Sequence, residues 1–448
     1  MSASLRPPAG GVAAADPDAR RIGFLPLLVL FYAYTTGGPV GYESLFSLSG
    51  PGMSLLFLAL VPLVWSIPIS MAAAELNSVM PVQGGFYRWV RAAFGDFWGF
   101  QSGWWNWTGT FLLNSAYGVL VMDYLQPLLP PMSGGMKWAC ACLFLWLMAY
   151  ANIRGIQISG WVSTALQAAV MVPVVWLCAV AALKWQGNPL LPWMPPGQPA
   201  GAVFGAGLAL VMWNYAGYEQ LCSVAGEVRD PQRTFVRALA WTTPLAVLTY
   251  VIPCALALAA LGDWAEWKTG YMVVAAEKLG GPALKVAMVL GTSIATASLS
   301  NSTILSTTRM PFAMAEDGYL PRWLAELHPK YGTPAKAILF STVIYCVLAG
   351  TDVVALIDVY IPLRIATSAL MLLAAWQLRR EMPDAMRSFR IPGGRLGLAL
   401  VVIPPILFCG LKLYYSTELV LKWSPVLLAA GPVAYGITRW VGGKEAGR

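Results

Sequence analysis

Long apolar runs alternate with short polar segments along the whole chain. Twelve of these runs approach the roughly 20 residues that a helix needs to cross a bilayer. We predict spans at about 22–48, 54–79, 97–125, 136–153, 158–183, 202–224, 236–261, 284–313, 335–350, 353–378, 396–416 and 419–441. The pattern therefore predicts an all-α polytopic membrane protein with twelve transmembrane helices.

Two of the apolar runs are interrupted at their centres. The first contains the sequence TTGGPVG from Thr35 to Gly41, followed by Glu43, and the sixth contains WNYAGYE from Trp213 to Glu219. Glycine lowers the helix preference of a segment and proline removes a backbone donor, so we expect both helices to be broken. Freed backbone groups in a membrane need a ligand, water or neighbouring protein, and many transporters build their substrate sites from them.

Composition and charge agree with this class. Of 448 residues, 58% are hydrophobic and 11% are charged, with a mean hydropathy of +0.62, which is too apolar for a soluble fold. With a cytoplasmic N-terminus, 21 of the 29 lysines and arginines fall in inner segments and six in outer ones, while Arg364 and Lys412 lie within spans. The positive-inside rule thus predicts an inner-membrane protein with both termini in the cytoplasm. The net charge of +8 reflects this topology, and we expect no nucleic acid partner and no obligate protein partner.

We divide the chain into three regions. Residues 1–20 lack the apolar core of a signal peptide and are predicted to be a disordered cytoplasmic tail. Residues 21–382 are predicted to form a ten-helix core. Residues 383–448 comprise a cytoplasmic loop, helices 11 and 12, and a short cytoplasmic C-terminus.

Several short motifs occur in order between the predicted helices. They are GGPVGYE at 37–43, AELNSVMPVQGGFYRWVRAAFG at 74–95, WNYAGYE with AGEVRDPQRT at 213–234, RMPFAMAEDGYLP with PKYGTP at 309–334, and FRIPGG at 389–394. Over this range the chain resembles the amino acid, polyamine and organocation transporter superfamily, especially its polyamine-permease-like branch. The resemblance implies a LeuT-type 5+5 inverted repeat with helices 1 and 6 broken, two peripheral helices, and transport by alternating access.

The predicted substrate pocket lies between the two broken helices, at the middle of the bilayer. Backbone N–H groups near Gly38, Val40 and Gly41 favour an anionic group, while carbonyls near Thr35 and Tyr215 favour an ammonium group. Aromatic rings of the sixth span can enclose a cation. The candidate substrate-binding residues are Thr36, Gly37, Gly38, Val40, Gly41, Glu43, Asn114, Trp213, Tyr215, Tyr218 and Glu219.

Two charged residues favour different substrates, an amine in one case and a carboxylate in the other. At roughly 5 Å and an effective dielectric constant near 20, Glu43 would repel a substrate carboxylate by about 3 kcal/mol, which favours an amine; the alternative is that Glu43 caps a helix. Arg364, in span ten, would instead repel polyamines or recruit a carboxylate. Plant polyamine permeases carry acids at positions that align with Leu113 and Tyr360 here, so a cationic, neutral or acidic amino acid stays open as substrate.

Coupling candidates are spread over three spans. They are Asp123, Asp358, Arg364, Ser298, Asn301 and Ser302. Buried carboxyl groups such as Glu43, Glu219 and Asp358 can carry protons, whereas the hydroxyl and amide oxygens of span eight suit Na⁺; we favour H⁺ as the coupling ion. Charged residues of the connecting segments, Glu75 and Arg88 among them, are interpreted as gate pairs or membrane-edge anchors.

We therefore predict a secondary transporter for amino acids or polyamines, with proton-coupled uptake of an organic amine. An uncoupled exchanger of neutral or acidic amino acids is the alternative within the same class, and a non-transporting membrane sensor is the alternative outside it. An enzyme is not expected, because the single histidine, His328, lies outside the spans and no metal-ligand cluster or cofactor motif occurs in the sequence.

Overall fold

A computed structural model of the chain describes residues 23–36, 41–80, 82, 84–155, 160–217 and 230–445. Within these ranges there are sixteen α-helices and no β-strand. The helices are α1 (Phe24–Thr36), α2 (Ser44–Ser49), α3 (Pro51–Val64), α4 (Ser66–Val79), α5 (Gly85–Phe94), α6 (Asp96–Leu125), α7 (Gly134–Ile153), α8 (Gly160–Leu183), α9 (Ala200–Asn214), α10 (Pro231–Leu261), α11 (Tyr271–Thr307), α12 (Arg309–Glu316), α13 (Ala335–Leu348), α14 (Val353–Glu381), α15 (Gly394–Tyr414) and α16 (Glu418–Glu445).

The all-helical, multi-pass class predicted from the sequence is confirmed. Seven helical segments of the described chain are long and apolar enough to cross a membrane, among them Pro51–Val79, Val353–Glu381 and Gly394–Tyr414. Three shorter apolar helices, including Ala200–Asn214 and Ala335–Leu348, accompany them. The count of twelve spans, the inverted repeat and the division into regions stay predictions.

Both predicted interruptions coincide with helix ends. The first helix, α1, ends at Thr36, residues 41–43 are not helical, and α2 begins only at Ser44. The backbone of Gly41 has a φ of 81°, a conformation that other residues rarely adopt. Likewise α9 ends at Asn214, and the residues up to Gly217 leave the helical path.

The long helix α6 lies at the centre of the bundle because glycines let its neighbours approach closely. A Cβ atom on Gly118 would lie 2.9 Å from Leu145 of α7, and one on Gly109 would lie 3.4 Å from the ring of Tyr360 on α14. Small residues at helix contacts serve this purpose in membranes, where van der Waals packing drives association. Helix α14 packs against α6 on one side and against α15 and α16 on the other.

Charged residues at the helix ends join the sequence motifs to one another. Asp317, after α12, receives hydrogen bonds from Tyr87 at 2.8 Å and Arg91 at 3.1 Å on α5. Glu75 at the end of α4 accepts from the backbone N–H of Ile391 at 2.7 Å and pairs with Arg379 at 3.0 Å. These contacts join α5 to the segment after α12, and α4 to α14 and the segment before α15; the interpretation of the motif charges as gate pairs or membrane-edge anchors stays a prediction.

A buried ion pair connects α14 to α15. The Nζ atom of Lys412 lies 3.4 Å from Oδ1 of Asp358, and the Thr417 hydroxyl donates to Oδ2 of the same carboxylate. The Lys412 side chain is fully buried and Asp358 nearly so. Asp358 is therefore neutralised by Lys412, and not by Arg364 on its own helix.

We expect Asp358→Asn to lower the free energy of unfolding by about 3–5 kcal/mol, because it leaves the Lys412 ammonium buried without a counter-charge. The double variant Asp358→Asn with Lys412→Met should lose less than the single variant. Reversible unfolding by SDS in mixed micelles measures both values. Glu326→Gln, which breaks the exposed pair with Lys336, serves as the control and should change the free energy by less than about 1 kcal/mol. A double variant as unstable as the single one would contradict the assignment.

Candidate functional site

The ends of the two broken helices meet at one tyrosine hydroxyl. Tyr250 of α10 lies 3.2 Å from the carbonyl oxygen of Thr36, the last residue of α1, and 3.3 Å from that of Asn214, the last residue of α9. The last carbonyls of a helix have no intrahelical donor, so this hydroxyl supplies one from a neighbouring helix. The two interruptions that the sequence predicts thus lie face to face in the bundle.

A second tyrosine explains how the chain after α9 is held. Pro62 has no N–H, so the carbonyl of Leu58 in α3 lacks its normal helical donor. The hydroxyl of Tyr215 donates to that carbonyl at 2.6 Å, and the Tyr215 carbonyl in turn accepts from Ser66 at 2.8 Å. Tyr215 was predicted to bind substrate, but its hydroxyl is directed to α3.

A small cavity adjoins the end of α9. It has a volume of about 50 Å³ and lies between α6, the end of α9, α11 and α14. Its lining residues are Asn106, Thr110, Leu113, Tyr117, Trp213, Ala216, Gly217, Leu299, Ser302, Thr303, Ser306, Thr307, Tyr360 and Arg364. Ligand pockets commonly measure about 300–1,000 Å³, so this cavity has to widen before it admits an organic solute.

Aromatic and hydroxyl groups form most of the polar surface of the cavity. The rings of Tyr117 and Trp213 are 6.2 Å apart, and Tyr360 lies on the neighbouring α14. Together these rings offer π-faces to a cation, which attract it by about 0.5–2 kcal/mol. Four hydroxyls on α11 add acceptors and donors.

Arg364 of α14 lines this cavity. Its side chain is only 4% exposed, and its guanidinium carbon lies 5.5 Å from the centre of the Phe86 ring. Among the described residues that line the cavity, Arg364 is the one with a formal charge. Leu113 and Tyr360 also line it.

Glu43 lies directly after the break in the first helix. Its side chain is fully buried, and its Oε1 accepts a hydrogen bond from Tyr124 at 2.8 Å. The same tyrosine oxygen accepts from the backbone N–H of Gly41 at 2.7 Å. Glu43 makes no side-chain capping bond to α2, so the capping alternative does not apply to its side chain.

Position 41, two residues before Glu43, requires glycine. A Cβ on Gly41 would lie 2.5 Å from the indole of Trp213, too close for any other residue without a shift of the ring. Because Trp213 lines the cavity, this contact connects the break in the first helix to the cavity wall.

The remaining candidates occupy different surroundings. Ser302 lines the cavity, and Ser298 lies one helical turn before it on α11. Asn301 accepts a hydrogen bond from Asn152 of α7 at 2.8 Å, while Asp123 pairs with Lys137 near the end of α6.

The Thr36 hydroxyl bonds within its own helix, donating to the carbonyl of Tyr32 at 2.6 Å. The Asn114 amide donates to the carbonyl of Thr110 at 3.3 Å, and its Oδ1 accepts from Ser300 of α11 at 3.5 Å. The predicted residues Gly37, Gly38, Val40, Tyr218 and Glu219 lie outside the described residues.

Sequence reasoning missed most of the cavity wall on α6. Asn106, Thr110, Leu113 and Tyr117 follow a 4-3-4 spacing, which puts them on one face of a helix. That spacing is a usable signal in the sequence. It does not reveal which face of a mostly apolar helix meets the cavity, because tryptophans occupy several faces of α6.

Known proteins are similar to this one over almost the whole chain. The profile of the family described as amino acid permease matches residues 23–430. A probable polyamine transporter of Arabidopsis thaliana is 30% identical over 414 residues, which cover 92% of this chain and 85% of the relative. Polyamine transporter PUT1 of Oryza sativa subsp. japonica is 29% identical over 434 residues, 94% of this chain and 78% of the relative. An uncharacterized transporter of Mycobacterium tuberculosis is 27% identical over 340 residues, which are 75% of each chain.

We expect Tyr250→Phe to lower the free energy of unfolding by about 1–2 kcal/mol, because the carbonyls of Thr36 and Asn214 lose a shared donor. SDS-induced unfolding in mixed micelles measures the change. Tyr414→Phe is the matched control, since that side chain is 80% exposed on α15, and it should have no effect above about 0.5 kcal/mol. Equal values for the two variants would show that the hydroxyl does not hold the helix ends.

Proposed function

The chain belongs to the amino acid permease family, and from this premise we propose that it is a secondary active transporter for an organic amine, driven by protons and working by alternating access. The observation that carries the proposal is the junction at Tyr250, where the ends of α1 and α9 meet, together with the cavity at the end of α9. Interrupted helices at the middle of a bundle offer backbone groups to a solute and allow half-helices to move separately. The small volume of the cavity fits an arrangement that is closed to a substrate.

The proposed architecture is the one that the sequence predicts. It has twelve spans in an inner membrane, a 5+5 inverted repeat with the first and sixth helices broken, and both termini in the cytoplasm. The charge asymmetry of the connecting segments supports the orientation. The helix ends at Thr36 and Asn214 support the placement of the two breaks.

An amine is the substrate class that we favour. Relatives with the printed name polyamine transporter cover most of the chain. The rings of Tyr117, Trp213 and Tyr360 suit an ammonium group, and an inside-negative membrane potential contributes about 2.3 kcal/mol per charge per 100 mV to its uptake.

A second candidate is the exchange of neutral or acidic amino acids, and Arg364 is the observation that favours it. A buried guanidinium at a cavity wall binds carboxylates through paired hydrogen bonds. Under this alternative the carboxylate of an amino acid would pair with Arg364, and uptake would require amino acid on the opposite face.

Protons are the coupling ion that we propose, with Glu43 and Glu219 as the carriers. Asp358 is the weaker candidate of the three acids, because it pairs with Lys412 and is not part of the cavity lining. The hydroxyls of Ser302 and its neighbours on α11 would serve a Na⁺ site if sodium were used instead.

Uptake into proteoliposomes tests the proposal. A panel of putrescine, spermidine, arginine, leucine and glutamate should be assayed with and without an inward proton gradient. We expect saturable uptake of the amines, accelerated by the gradient. Preference for glutamate, or uptake only into preloaded vesicles, would support exchange instead, and no flux of any compound would contradict a transporter.

Arg364→Gln separates the two substrate classes. If the substrate is a cation without a carboxylate, removal of the positive charge should leave or increase its affinity. If a carboxylate pairs with Arg364, affinity should fall about tenfold to a hundredfold, the loss expected for a charged hydrogen bond. Competition binding to purified protein measures the change, and Arg322→Gln, at an exposed position, is the control.

A further inference from the structure

An oriented chain of hydrogen bonds occupies the break in the first helix. The N–H of Gly41 can only donate, so the oxygen of Tyr124 accepts from it at 2.7 Å. The single hydroxyl hydrogen of Tyr124 is then directed to Oε1 of Glu43 at 2.8 Å. The chain of bonds thus ends on a carboxylate that belongs to the protein itself.

This arrangement reduces what the break offers to a substrate anion. Pro39 has no N–H, and the N–H of Gly41 is already bonded to Tyr124. A substrate carboxylate that approached the break would find the N–H of Gly41 already bonded and would also meet the carboxyl group of Glu43. If that group is ionised, repulsion at roughly 5 Å weakens binding on the order of a hundredfold.

The second oxygen of Glu43 makes no direct hydrogen bond. Oε2 is buried and accepts none from the residues that the structure describes, although the backbone N–H groups of Gly41, Glu43 and Gly270 lie near the carboxyl group. No lysine or arginine of the described chain forms an ion pair with Glu43 either. A fully buried carboxyl group in this state favours a donor that arrives with a ligand, and an ammonium group is such a donor.

We propose that Glu43, held by Tyr124, takes the place of a substrate carboxylate at the break, and thereby selects amines that lack the carboxylate of an amino acid. This inference rests on the proposed function and specifies its substrate class. It makes Glu43 a specificity-determining residue and Tyr124 the positioning residue that acts through it. Arg364 provides the competing possibility, since it could receive a carboxylate elsewhere in the cavity.

Three pairs of compounds that differ only in the carboxylate test the proposal. They are cadaverine and lysine, putrescine and ornithine, and agmatine and arginine. Equilibrium binding to the full-length protein in detergent, by competition, gives a preference ratio for each pair, and proteoliposome uptake gives a second ratio. We expect the wild-type protein to prefer the decarboxylated member by about a hundredfold.

Substitutions at Glu43 and Tyr124 test whether the preference for the decarboxylated compounds depends on the carboxyl group at the break. Glu43→Gln should reduce the ratio about tenfold or more, mainly through better binding of the amino acid. Tyr124→Phe leaves the carboxyl group but frees the Gly41 amide, so we expect a smaller reduction of the same sign. It provides a second test if Glu43→Gln does not fold. Glu277→Gln, at an exposed ion pair with Lys285, is the control and should leave the ratios unchanged.

The outcomes separate this inference from the proposed function. Equal binding of both members of each pair, preference for the amino acids, or unchanged ratios in folded Glu43→Gln would overturn the inference while transport stands. Preferential binding of the amines without flux would contradict the transporter and leave the inference supported. Absence of binding for all six compounds would overturn the inference as well.

Discussion

The structure depends on how backbone groups are satisfied where helices stop inside a membrane protein. Each such end leaves carbonyls or N–H groups without intrahelical partners, and lipid supplies none. Tyrosine hydroxyls supply them here. The Tyr250 hydroxyl donates to the carbonyls at the ends of α1 and α9, and that of Tyr215 donates to the carbonyl that Pro62 leaves without a donor. The Tyr124 oxygen accepts from the backbone N–H of Gly41. Broken helices can therefore persist in the bundle next to a cavity.

The sequence predicted the places of the breaks but not the groups that stabilise them. Glycine and proline have local effects on the backbone, so TTGGPVG indicates a helix end wherever it lies. The partner groups are distant in the chain: Tyr250 lies 214 residues after Thr36, and Tyr124 lies 81 residues after Glu43. Such pairs depend on how the helices pack against one another. A single sequence whose two halves show no visible identity does not specify that packing. The same reason explains why the sequence did not reveal Lys412 as the partner of Asp358.

Charges in the bundle fall into two groups with different consequences. Asp358 and Lys412 neutralise each other between α14 and α15, and Glu75 joins α4 to the segment before α15. These pairs hold helices together. Arg364 and Glu43 differ from them. Arg364 lines the cavity, and Glu43 lies at the break with one carboxyl oxygen that makes no direct hydrogen bond to the described residues. Specificity for charge in the proposed transporter thus depends on two residues of opposite sign on different helices.

The central claim is that the ends of α1 and α9 form a substrate site together with the cavity between α6, α11 and α14. A cryo-EM map of the protein in nanodiscs with a saturating diamine tests it most directly. The account predicts helix ends at Thr36 and Asn214 and ligand density beside Trp213 and Tyr360. A continuous helix from residue 24 to 49, or ligand density away from both helix ends, would contradict it.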